Sequence, residues 1–192
     1  STSQACGSTV FTRMALAGLG AIQEAGNELR LAAASYRSVL DLAGDMPLPS
    51  ASVMAHLGLA RICYEWNDLN AALHHGEQSL PLARRMEKMG YSITCELLMA
   101  RLKLARGDLV EAAALLSKTD LDVRRNGFTQ QAPLVAATRV LILIRQGDLA
   151  AAGQLAQAHG LPLSQARVHL ARGDASTALA MLDPFRREME EK

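Results

Sequence analysis

Aromatic side chains are scarce in this sequence: Phe, Tyr and Trp together make up 4% of its 192 residues. An interior built around rings is thereby excluded, although 49% of the residues are apolar. Small and medium aliphatics, above all Ala and Leu, must fill it. Both head the helix scale and β-branched residues are sparse, so the composition predicts an all-α chain of closely packed helices. Cysteine is scarce too. Cys6, Cys63 and Cys95 are odd in number and have no metal-like spacing. Cys63 and Cys95 lie in apolar helical stretches and read as buried small hydrophobes in a reducing compartment, with cytoplasmic as the expected location. Charge of one sign is missing as well, since 20 basic residues face 19 acidic ones for a net charge of +1. No global field recruits nucleic acid or anionic lipid, and Arg84-Arg85, Arg124-Arg125 and Arg186-Arg187 read as solvated pairs at helix ends and in loops. Long hydrophobic runs are absent. The apolar patch 14–22 is too short to span a bilayer and runs directly into Gln23 and Glu24, so neither a membrane span nor a secretory signal is expected.

What is present is a repeat. An acidic residue follows Asn or Gly at Glu28, Asp68, Asp108, Asp148 and Asp174. The first three intervals are 40 residues and the last is 26. Four residues after each acid stands an alanine (Ala32, Ala72, Ala112, Ala152, Ala178), and seven before each Asn or Gly stands a mostly small residue (Gly20, Ala60, Ala100, Val140, Ala166). A fixed period in this range marks a helical solenoid. In each unit helix A stops at the Asn or Gly, which suits a positive φ. The aspartates Asp68, Asp108, Asp148 and Asp174 then cap helix B, with Glu111 completing an acidic capping box behind Asp108. Ala112 is small so that it can pack on Ala100, and the two helices make one antiparallel hairpin. The layout is A1 9–25, B1 28–43, A2 50–66, B2 69–88, A3 90–106, B3 109–118, A4 130–146, B4 149–159, A5 162–172 and B5 175–190. The loop 44–50 carries two prolines, 119–130 reads as a polar connector, and Pro81 and Pro184 should kink or end their B helices.

The small residue, the Asn/Gly-Asp turn and the following Ala resemble the tetratricopeptide repeat (TPR). The wording LGLARICYEWNDLNAALHHGEQSLPLARRM, followed by LLMARLKLARGDLVEAAALLSK, resembles the repeat region of MalT-like, LuxR-family transcriptional regulators. That resemblance covers roughly residues 15–182 and implies a right-handed superhelical array of about five TPR-like helix pairs. It also implies one solenoid domain over residues 1–192 that senses an effector or partner for attached NTPase and DNA-binding modules. The sequence departs from the family where those modules would lie: it has no GxxxxGK[ST] phosphate loop and no compact DNA-reading unit after the last repeat. The chain is therefore expected to be a fragment of a larger regulator, without direct nucleic-acid binding. The alternative is a free-standing adaptor for a protein or peptide.

Catalytic chemistry finds little support, and no enzyme activity or cofactor is expected. His74-His75 with Glu77 point to different helix faces, and His56, His159 and His169 do not complete a cluster at metal spacing. No metal site is expected. No serine or cysteine is set up as a nucleophile. In this repeat type the A helices line the concave surface, and the residue after the small packing position faces it. Arg61, Arg101 and Arg167 hold that place, with Tyr64 one turn after Arg61. They are the candidate groove for a small-molecule effector or a protein or peptide partner. The competing reading pairs each arginine with a neighbouring glutamate such as Glu65 or Glu96.

Overall fold

The computed structural model describes residues 2–42, 48–86 and 90–190, with side chains between residues 9 and 187 of those stretches. The Cys6 side chain, positions 44–47 of the proline loop and the last residues assigned above to B2 lie outside what is described. Every described regular element is helical.

Two compact units divide the chain, Ser1–Arg106 and Gly107–Lys192. The first contains α1 (Thr2–Ala25), α2 (Leu29–Asp41), α3 (Pro49–Glu65), α4 (Leu69–Arg84) and α5 (Tyr91–Arg106). Each helix packs on the next, and α3 also touches α1 and α5, so the three A helices run side by side. The second contains α6 (Leu109–Arg125), a 3-10 turn (Thr129–Gln131), α7 (Ala132–Gln146), α8 (Leu149–Ala158), α9 (Pro162–Ala171) and α10 (Ala175–Glu190). The same neighbour-on-neighbour packing recurs there, with α7 against α9. The architecture is an all-α, TPR-like array of helix hairpins.

The turns are built as the repeat requires. Asn27, Asn67, Gly107, Gly147 and Gly173 all take positive φ, between 59° and 93°. At Gly147 the N–H donates to the Ile144 carbonyl at 3.1 Å, and the Asp148 N–H to the Leu143 carbonyl at 3.0 Å. The same two bonds recur at Asn27, Asn67 and Gly173. This is the double hydrogen bond that satisfies the orphan carbonyls of a helix end, and it turns the chain back within three residues.

Capping holds at three of the four aspartates. Asp68 and Asp148 accept from the N–H groups of Ala71 and Ala151 at 3.0 Å, and Asp174 from that of Thr177 at 3.1 Å. Asp108 is the correction. It occupies the N-cap position of α6, but its side chain makes no capping hydrogen bond.

Three boundary expectations also change. Helix α6 continues to Arg125 through the stretch read as a connector, because Leu116, Thr119 and Val123 form a buried stripe along it. Pro81 and Pro184 sit inside α4 and α10 and end neither. Helix α1 starts at Thr2 rather than near residue 9.

All five repeat alanines are at most 5% exposed. In the first unit close packing goes further. Tyr36 of α2 lies with one ring edge over Gly20 of α1 and the other over Gly58 of α3: a Cβ on Gly20 would stand 2.7 Å, and one on Gly58 2.1 Å, from ring carbons. The ring is 1% exposed and has no room to retreat. Gly58→Ala thus sets a helix-propensity gain of up to ~1 kcal/mol against overpacking of ~1–3 kcal/mol. Because the ring is wedged on both sides, the clash should win. The variant should show a lower urea midpoint than wild type, whereas Ala at the open Gly18 position should not.

Candidate functional site

Glu24, in the last turn of α1, is a carboxylate at a helix end whose dipole disfavours it. Three donors from two other helices hold it. The Tyr36 hydroxyl donates at 2.9 Å, and the Arg61 guanidinium of α3 donates through Nε and, at 2.7 Å, through Nη2. Burial, together with the hydrogen bond to Glu24, pushes the Tyr36 phenol above its ordinary range. Arg61 is therefore committed to a forked ion pair, and its partner is neither of the glutamates expected from the sequence. Glu96 instead meets Arg84 at 3.3 Å, and Glu65 lines the groove that Arg61 borders.

That groove measures about 260 Å³ and is walled by Glu24, Arg61, Tyr64, Glu65, Leu98 and Arg101, among others. The guanidinium of Arg101, on α5, lies 5.7 Å from the centre of the Tyr64 ring on α3, within cation–π range. Its Nε is buried and donates to no acceptor among the described residues. A buried donor without an acceptor costs about 1–3 kcal/mol. An incoming carbonyl, hydroxyl or carboxylate oxygen would recover that cost, and the Tyr64 face offers an adjacent stacking surface. The structure thus brings Arg61, Tyr64 and Arg101 to one groove. Arg167 stands in the second unit, exposed, beside an apolar recess of about 170 Å³ formed with Leu163, Leu170 and Leu182.

Sequence reasoning missed two features. Nδ1 of His56 on α3 and Nδ1 of His75 on α4 lie 3.1 Å apart, and the His74 ring stands 5.5 Å from that of His75. The two histidines are 19 residues apart and meet across one hairpin, whereas the sequence reading weighed His56 only for metal spacing and did not bring it to His75. Among the described residues no group of three or more His, Cys, Asp or Glu side chains could hold a metal ion. The second feature is a polar recess of about 510 Å³ between α8 and α9, lined by Gln154, Gln157, Gln165, His169 and Arg172. The glutamines at 154 and 157 were its only visible signal.

Cys63 and Cys95 are buried free thiols, and burial pushes both upward in pKa. No helix among the described residues is long and apolar enough to cross a membrane. The family described as the MalT-like TPR region matches the chain over residues 1–192. No curated protein matches it.

The histidine pair makes the fold acid-sensitive. Burial, then the charges of His75 and His74, lower His56 to about 4 from 6.5. Burial, His74 and Arg37 lower His75. A depressed histidine binds its proton less readily when folded, so this stability is present above pH 6.5 and is lost as pH falls toward 4. Between pH 6.5 and 5, before most carboxylates titrate, the loss should be about 1 kcal/mol after allowance for partial exposure. Urea midpoints measured at the two pH values should fall for wild type and change much less for His56→Gln.

Proposed function

The chain belongs to the MalT-like TPR family, and from that premise we propose that it is the sensor segment of a LuxR-family transcriptional regulator. An effector or partner bound in the groove of the first unit would bias NTPase and DNA-binding modules elsewhere in the regulator. The observation that carries this reading is the Arg101 guanidinium, set over the Tyr64 ring with a buried Nε that has no acceptor among the described residues. Arg101 and Tyr64 supply recognition, whereas Arg61, tied to Glu24, shapes the wall. Coupling requires that the ligand bind two states of the regulator with different affinity, by an amount equal to the coupling free energy. The free-standing adaptor remains the competing reading. In a longer open reading frame, a phosphate loop and a helix-turn-helix flanking the repeats favour the regulator, and the lack of both favours the adaptor.

Calorimetric titration of the chain with short oligosaccharides, dicarboxylates and acidic peptides tests the groove. At least one class should bind, and Arg101→Ala should bind it about 10- to 150-fold more weakly, matching the ~1.5–3 kcal/mol of a charge-assisted hydrogen bond. The melting temperature should be unchanged. A variant that loses stability and keeps its binding would make Arg101 structural. The chain by itself should neither shift duplex DNA in a gel at physiological salt nor release phosphate from ATP. Sequence-selective DNA binding or turnover above background would contradict the assignment of those activities to other modules.

A further inference from the structure

The groove of the first unit is walled by two pairs of opposite charges, and only one pair meets. Arg61 and Glu24 neutralise each other within the wall. Arg101 and Glu65 line the same recess of about 260 Å³. Neither has an ion-pair or hydrogen-bond partner among the described residues. The Arg101 guanidinium is set over the Tyr64 ring. A guanidinium held over a ring by cation–π attraction keeps its forked N–H donors in its own plane, where a carboxylate can still be gripped from the edge.

Glu65 is the last residue of α3 and exposed, and Glu24 lies in the last turn of α1. A carboxylate at a helix C-terminus sits against the negative end of the helix dipole. Neither helix carries a basic residue in its last turn to offset it. Tyr36 and Arg61 answer Glu24 from the two neighbouring helices. Nothing among the described residues answers Glu65. A cation placed beside it would gain from both the carboxylate and the helix end. The same wall carries three aliphatic side chains, Leu29, Ile62 and Leu98.

We propose that this groove takes a small apolar zwitterion, an α-amino acid or a dipeptide with both ends free. Its carboxylate lies on the Arg101 guanidinium, its ammonium on Glu65, and its aliphatic side chain against Ile62 and Leu98. This rests on the groove reading above and narrows it to one ligand chemistry. A zwitterion satisfies both unpaired charges and introduces no third. An oligosaccharide leaves both without a counter-charge, and a dicarboxylate brings a second anion toward Glu65 and Glu24. Of the classes titrated above, only a peptide with free ends carries both charges. Amino acid and dipeptide differ in how far apart those charges stand, so the tighter of the two measures the gap between Arg101 and Glu65.

Calorimetry on the intact chain at about pH 6.5, where α-amino groups are protonated, tests it with leucine and leucyl-leucine. At least one should bind. The binder in its N-acetyl form lacks the cation, and in its amide form it lacks the anion. Each form should bind at least about 10-fold more weakly, the low end for a charge-assisted hydrogen bond. Glu65→Gln should erase the preference over the acetylated form, and Arg101→Gln the preference over the amide. An acetylated form that binds wild type as well as the zwitterion overturns the proposal, and that comparison needs no variant to fold. So does a Glu65→Gln chain that melts as wild type does and keeps the full preference. If neither zwitterion binds but a dicarboxylate or oligosaccharide does so through Arg101, the zwitterion is overturned and the effector groove stands. Binding of none of these compounds, or binding that Arg101→Gln leaves untouched, removes the groove reading as well.

Discussion

The first unit depends on one ring in one slot. Tyr36 reaches between α1 and α3 only because Gly20 and Gly58 lack a Cβ, and its hydroxyl then emerges beside Glu24. Packing and electrostatics are therefore one arrangement. The ring fixes the spacing of the two A helices, its hydroxyl fixes the carboxylate, and the carboxylate fixes the Arg61 fork at the groove wall. In a chain with so few aromatics, this ring does work that an all-aliphatic core could not, because it is both filler and donor.

The second unit manages without such a wedge. Its core cluster is Val140, Ala152, Ala156 and Val168, backed by partly buried leucines and Ile144, and its close approach is Gly153, where a Cβ would stand 2.9 Å from the Arg172 guanidinium. Arg172 in turn donates to the Leu149 carbonyl at 2.7 Å. The two units thus use the same turn and the same small alanines but lock them differently, by a buried phenol in one and by an arginine laid over a glycine in the other. Their recesses differ accordingly: mixed charge around Tyr64 in the first, amides around His169 in the second.

Much of the fold was legible because the turn is a local device. Asn or Gly before an acid dictates a positive φ and a cap within three residues, and all five such positions obey the φ requirement. Legibility failed where burial depends on neighbours distant in sequence. The stretch after Lys118 looks polar, yet Thr119 is fully buried and satisfies its hydroxyl on the Leu115 carbonyl at 2.9 Å, so α6 runs on. The groove was partly legible for the same reason. Register arithmetic put Arg61 and Arg101 at equivalent places, and they do meet one groove. It could not tell that Glu24 leans across from α1 to take Arg61 out of service, nor that His56 faces His75. Those facts depend on which side chains lean across a seam, and that information is absent from a single repeat.

The Glu24–Tyr36–Arg61 tie also bears on how such a chain can diversify. Arrays of identical cassettes grow and shrink by recombination, since any hairpin can follow any other. Here the position of Glu24 is held by Tyr64 and Leu104 in the next two cassettes, and that of Tyr36 by Gly76 and Leu116. A crossover that replaced the first hairpin by another would remove Glu24 and Tyr36 together and strand the Arg61 guanidinium at a half-buried seam. The first hairpin is thus not interchangeable with the others, because two of its side chains are tied to Arg61 of the next.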